Sequence, residues 1–194
     1  MRHFARRLNR ATNGKLHPDT VTYIGVLMHI PIAVLIAANQ WYPLAALLLI
    51  VFGLFDALDG ELARLQGRSS QRGMLLDAST DRMKEVFLYI GAAYAFALSS
   101  HPTTAAWAVA ACGASLCVSY VKAKGEAAVA SAKKELSHHE LNHLFKDGLL
   151  SFEIRMVVLI IGLLTGLLVY AVAFVALFAT HTALLRLYKI SRAL

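Results

Sequence analysis

Six apolar stretches divide the chain, and each is bounded by polar or turn-forming residues. The first runs from about Thr20 to Ala38. The second runs from about Leu44 to Asp56 and continues as helix to Arg64 or so. The third begins near Gly73 and reaches Ser99, and the fourth covers roughly Thr103–Val121 and extends as helix into Lys122–Glu126. From Met156 to about Leu187 the apolar character persists beyond the ~20 residues that cross a bilayer without tilt. Gly162, Thr165 and Gly166 predict a break there, giving a fifth span from about Phe152 to Thr165 and a sixth from Gly166 to Tyr188. Pro18-Asp19-Thr20 reads as a helix start, and Pro31 marks a place where the first span can kink. Asn39–Pro43, Gly67–Arg72 and His101-Pro102 read as turns, the first carrying the interfacial aromatics Trp41 and Tyr42.

Before the first span, Arg2, Arg6, Arg7, Arg10 and Lys15 surround Phe4 and Leu8, which are spaced i,i+4. This pattern predicts a short amphipathic helix over residues 2–15, lying on a membrane surface. The expected fold is all-α: an integral membrane bundle of six transmembrane helices with an N-terminal amphipathic interfacial helix. It forms a single domain over residues 1–194, in which residues 1–17 are the interfacial part. Residues 126–150 are the least apolar and read as a polar cytoplasmic segment.

Composition supports this. The chain is 58% hydrophobic and 16% charged, with a mean hydropathy of +0.57; a soluble globule carries about a quarter charged residues. The basic start lacks the apolar core and cleavage site of a signal peptide at the right distance, so none is expected to be removed. The net charge of +7 points to anionic lipids at an inner membrane face, not to nucleic acid. Cys112 and Cys117 lie in an apolar run and read as small packed hydrophobes. His139 and His143 have the i,i+4 spacing of a zinc pair beside His138, but a zinc site wants further ligands.

The basic residues orient the chain. The turns at 39–43, 99–103 and 165–166 contain no Lys or Arg. All 19 such residues fall at the N-terminus, in the 64–84 region, in 122–155 or at the C-terminus. With six spans these regions share one side, so both termini are expected to be cytoplasmic, in the cell (plasma) membrane.

Chemistry concentrates between the second and third spans, in DALDGELARLQGRSSQRGMLLDASTD. Asp56 and Asp59 are spaced i,i+3, and Asp77 and Asp81 i,i+4, so each pair shares one helix face. Carboxylates at a membrane junction need partners. Four hard-oxygen ligands suit Mg²⁺ or Mn²⁺, with room for two ions, and two ions suit a phosphate-containing substrate. Gly60, Ala63 and Gly73 leave space for a ligand, Arg64 can pair with phosphate, and N–H groups at the start of the third span can face an anion.

These residues fit D-x-x-D-G-x-x-A-R, eight spacers, G-x-x-x-D-x-x-x-D, and the chain thereby resembles the CDP-alcohol phosphatidyltransferases. Pro18 to Thr22 resembles that family's P-x-x-x-T entry to the first span. The resemblance implies transfer of a phosphatidyl group from a CDP-linked lipid, usually CDP-diacylglycerol, to an alcohol hydroxyl, with release of CMP. It implies that Asp56, Asp59, Asp77 and Asp81 hold the metal ions and that Asp81 is the general base. Asp59, Gly60, Ala63, Arg64, Gly73 and Thr22 are then expected at the CDP moiety.

Ser119-Tyr120-Val121-Lys122-Ala123-Lys124 resembles the SYxKAR segment of the family's inositol-phosphate-using branch. Arg155 and Arg186 resemble two arginines that complete that branch's basic pocket. The resemblance therefore implies an acceptor-phosphate site of Ser119, Lys122, Arg155 and Arg186, and inositol phosphate as the acceptor. The long polar insertion at 126–150 departs from the branch. Glycerol 3-phosphate or another small alcohol is the alternative acceptor. An intramembrane prenyltransferase and a divalent-cation transporter are alternatives of another class. The family likeness also suggests a homodimer, and Gly91, Ala92, Ala95, Gly113 and Ala114 would permit close packing between helices.

Overall fold

The structure is a computed structural model that describes residues 1–131 and 150–193. Among the described residues it is helical throughout, in the order α1 (Arg2–Ala11), α2 (Pro18–Ala37), α3 (Tyr42–Leu65), α4 (Gln71–Ala97), a 3₁₀ turn at Pro102–Thr104, α5 (Ala105–Ser131), α6 (Phe152–Thr165) and α7 (Leu168–Ala193). Two compact units divide it, Met1–Ala95 and Phe96–Leu194.

In the first unit, α2 starts on Pro18, whose missing N–H is no loss in a first helical turn. His17 Nδ1 accepts the Asp19 N–H at 3.3 Å. The helix runs through Pro31 to Ala37. Val21 of α2 packs with Leu58 and Leu62 of α3 around Ala5 of α1, and Leu8, Leu16 and Phe55 close the cluster. Gln66 ties the entry segment to the end of α3, donating to Asn9 Oδ1 at 2.8 Å and to the Leu16 carbonyl at 2.9 Å. The inner face of α1 is thus turned to protein, while Phe4 is 58% exposed. The helix stops at Ala11, short of Lys15, because Asn13 and Gly14 take left-handed backbone angles. Farther along, α4 crosses α2 closely. A Cβ on Gly91 would collide with the Ala33 carbonyl oxygen, so only glycine lets these two backbones meet.

In the second unit, α7 buries a stripe that includes Val172, Val175, Ala179, Thr182 and Arg186, at three- and four-residue intervals. That helix packs on α5, which buries Ala108, Ala111, Ser115 and Val118. The expected break between the fifth and sixth apolar stretches falls at Gly166. Its φ of 72° ends α6 in a left-handed cap that a side chain would strain.

Among the described residues, four helical segments are long and apolar enough to cross a bilayer: Pro18–Ala37, Tyr42–Leu65, Pro102–Ser131 and Leu168–Ala193. The chain is a multi-pass membrane protein. The other two expected spans, α4 and α6, do not meet that measure. The first 15 residues of α4 carry Arg72, Asp77, Asp81, Arg82, Lys84 and Glu85. At ~1.5 Å per residue, the short α6 reaches about 21 Å, against the ~30 Å of a hydrocarbon core.

Other expectations are revised. Gly91, Ala92, Ala95 and Ala114 are buried within the chain, and of the five small residues only Gly113 is exposed. The four buried ones pack helices of the same chain, Gly91 most closely. Cys112 is half-buried and Cys117 exposed, so neither packs as a core residue; on a helix their i,i+5 spacing cannot turn both inward. Helix α5 carries residues 126–131 of the polar segment. The remainder, with His138, His139 and His143, lies outside the described residues.

Candidate active site

The apolar run of α3 gives way to a polar second half, where Asp56 and Asp59 emerge one turn apart. Thr22, at the start of α2, donates its hydroxyl to Asp59 Oδ2 at 2.5 Å. Asp59 is nearly enclosed, at 6% exposure. The link joins residues of two helices and fixes which way the carboxylate faces. Thr22→Val should leave a buried carboxylate oxygen without this donor, at a cost of about 2 kcal/mol. The expected result is a lowered thermal unfolding midpoint in detergent, together with lower activity. Thr22→Ser, which keeps the hydroxyl, should retain both.

Helix α4 supplies the facing acids. Ser70 Oγ accepts the Gly73 N–H at 3.1 Å and closes the first turn. This differs from the expectation that Gly73 opens the helix with free donors: α4 begins at Gln71, and the Gly73 N–H already has a partner. One turn on from Gly73, Asp77 is solvent-exposed, and one turn farther Asp81 is half-buried. Asp77 lies within electrostatic reach of Asp59 and Asp81.

Lys84, which the sequence reading did not single out, sits at the centre. Its ammonium bonds Asp56 Oδ1 of α3 and, at 3.1 Å, Asp81 Oδ1 of α4, and its side chain is fully buried. Arg82 approaches Asp81 at 3.8 Å and Glu85 at 3.5 Å. The i,i+3 step from Asp81 to Lys84 was the available sequence signal. It resembles an ordinary surface helix pair, and only burial separates the two cases. As they stand, no three His, Cys, Asp or Glu side chains among the described residues converge as a metal cage. The acids are drawn into two sets instead, Asp59 with Thr22, and Asp56 with Asp81 through Lys84.

On the outer side of α3, Arg64 Nη1 donates to Glu61 Oε1 at 2.5 Å, and Arg2 lies 3.4 Å from the other Glu61 oxygen. Arg64 is largely exposed. Gly60 and Ala63 are half-buried, and an added Cβ on Gly60 would meet only the Arg64 guanidinium, at 3.8 Å. This side of the helix is uncrowded.

The expected acceptor residues belong to the second unit. Arg186 Nη1 of α7 reaches the Val118 carbonyl of α5 at 3.5 Å, beside Ser119. The Ser119 hydroxyl donates to Ser115 O at 3.3 Å. Lys122 follows on the same helix, half-exposed and 3.9 Å from Glu126. Arg155 of α6 is 1% exposed and donates to the Leu150 carbonyl at 2.8 Å. The structure therefore brings Arg186 to the Ser119 turn, while Arg155 is anchored at the entrance of its own helix.

Comparison with known proteins agrees with the signature. The family model of the CDP-alcohol phosphatidyltransferases matches residues 15–185. The phosphatidylinositol phosphate synthase of Cutibacterium acnes is 34% identical over 119 residues, covering 60% of this chain and 56% of that protein. The enzyme of the same name from Corynebacterium glutamicum is 31% identical over 169 residues, covering 85% of this chain and 71% of its own length. The chain thus spans little more than half the length of the first of these relatives. The crystal structure of Mycobacterium tuberculosis phosphatidylinositol phosphate synthase with CDP-DAG bound superposes with a TM-score of 0.81 at 24% identity, over 97% of this chain and 92% of that one. The same synthase in complex with manganese and citrate gives 0.80 at 24% identity, over 97% and 87%. At that identity the likeness is one of fold.

Proposed function

The chain belongs to the CDP-alcohol phosphatidyltransferase family, and from that premise we propose that it moves a phosphatidyl or similar lipid phosphate group from a CDP-linked lipid to a small phosphorylated polyol, inositol phosphate, releasing CMP. The observation that carries this reading is the meeting of Asp56 and Asp81, from α3 and α4, around one buried cation. Membership in the family sets the prenyltransferase and transporter readings aside. The names of the two relatives, and the bound CDP-DAG of the M. tuberculosis structure, support the choice of donor and acceptor.

The residues fit a divalent metal. The donors are carboxylate oxygens, hard ligands of the kind Mg²⁺ and Mn²⁺ prefer, and Asp56 and Asp81 already gather around a positive charge. Asp56, Asp59, Asp77 and Asp81 would hold it, with carboxylates enough for two ions. When bound, the metal neutralises the diphosphate and stabilises the leaving CMP.

The protein's own groups do the rest. Thr22 holds the Asp59 carboxylate in one orientation. Gly60, Ala63 and Gly73 keep bulk away from the nucleotide. Arg64 exchanges Glu61 for a phosphate oxygen, a trade between two anionic partners at an exposed site. Asp81 accepts the proton of the acceptor hydroxyl as that oxygen attacks phosphorus. Ser119, Lys122, Arg155 and Arg186 bind the acceptor's phosphate, a dianion that suits clustered cations.

The absence of Lys and Arg from the turns at 39–43, 99–103 and 165–166 supports six spans with both termini and the acids on the cytoplasmic side of the cell membrane. In this reading α4 and α6 cross with their neighbours, residues 1–194 act as one membrane domain, and two chains form the working unit.

The test is CMP release by purified protein given Mg²⁺ or Mn²⁺, CDP-diacylglycerol and a panel of acceptors. Release is expected with inositol phosphate. Release with glycerol 3-phosphate or serine but none with inositol phosphate would overturn the acceptor; no release with any acceptor would overturn the reaction.

A further inference from the structure

Lys84 is the fully buried cation in the acid cluster, and the proposed chemistry gives it no task. Its ammonium contacts one carboxylate from each helix, Asp56 and Asp81, and it uses oxygens that the proposed function assigns to the metal. A divalent ion drawn to the same two carboxylates would lie close to that ammonium. Each would face a like charge in a poorly solvated place, where such repulsion is weakly screened.

The seat of Lys84 is built. Gly25 of α2 stands beside it: a Cβ there would lie 3.8 Å from Lys84 Cε and 3.7 Å from Asp56 Oδ1. Alanine would fill the gap, and anything larger would crowd the lysine. The glycine therefore leaves room alongside a flexible four-carbon stem, whose ammonium can move without moving a helix. An arginine, with its planar fork, would be held more rigidly.

We propose that Lys84 is a built-in competitor for the metal. Its ammonium and a divalent ion are alternative occupants of the Asp56–Asp81 pair, and the lysine withdraws when the ion binds. In the metal-free protein Lys84 keeps the two acids neutralised and α3 joined to α4. The same arrangement weakens the protein's hold on the ion. The inference rests on the reading of the aspartates as a metal site.

The experiment measures Mn²⁺ binding by the loss of the free-ion electron paramagnetic resonance signal, in detergent-solubilised wild type, Lys84→Met and Lys84→Arg. Thermal unfolding is followed with and without Mn²⁺. Lys84→Met should bind Mn²⁺ at least about tenfold more tightly than wild type, the change expected when a competing charge is removed. It should also be less stable than wild type without metal and gain more from Mn²⁺. Lys84→Arg, which keeps the charge, should bind no more tightly than wild type.

A purely structural lysine gives the opposite pattern: Lys84→Met binds Mn²⁺ equally or more weakly, with no larger gain in stability, and the proposal falls. It falls too if Lys84→Met fails to fold even when prepared in Mn²⁺, since the ion should then replace the missing charge. If wild type and variant both bind no Mn²⁺, the metal reading itself fails and takes this inference with it. Equal binding by the two sinks only the role of Lys84.

Discussion

Asp81→Asn is expected to lower CMP release by about a thousandfold, within the range for losing a general base, while CDP-lipid binding survives. The substitution is close to isosteric. An asparagine carbonyl oxygen can still accept from Lys84, which now holds Asp81 at 3.1 Å, so the joint between α3 and α4 should persist. What disappears is the basic oxygen that takes the acceptor's proton. Turnover measured with saturating acceptor, beside binding of labelled CDP-diacylglycerol, separates the two effects. Donor binding that collapses together with turnover would mean that Asp81 serves mainly as a metal ligand. Near-normal turnover would remove it from the mechanism.

The second large effect is expected at the acceptor. Arg186→Gln should raise the KM for inositol phosphate by roughly thirtyfold, the loss of one or two hydrogen bonds to a charged group, with donor binding little changed. Arg186 is 6% exposed and its guanidinium reaches the Val118 carbonyl beside Ser119, so glutamine leaves a polar group in its place. A staple between α5 and α7 would respond differently: the unfolding midpoint would drop while KM stayed put. That outcome would return Arg186 to packing and leave the acceptor to Ser119, Lys122 and Arg155.

The sites differ in how far they could be foreseen. The aspartates stand at i,i+3 and i,i+4, and helical spacing is a local property that needs no knowledge of the partner helix. Thr22 was marked by its place in the first-span entry, but its hydrogen bond to Asp59 was not, because the two lie 37 residues apart. Lys84 escaped notice for the same reason, 28 residues from Asp56. Arg64 was expected to face a phosphate and is paired instead with Glu61. Such a switch between partners costs an exposed side chain little, and no sequence pattern encodes it.

The sequence by itself determined where the helices lie and some of their limits: the start at Pro18, the break at Gly166, and the turn between α3 and α4. Those depend on residues within a few positions of one another. It also determined which carboxylates share a face. Tertiary structure alone decided which side chains meet. It docked α1 on α3 through Ala5, closed α2 against α4 at Gly91, and set Lys84 between acids of two helices. Periodicity tells a residue which way it points along its own helix; what waits there depends on how distant segments pack.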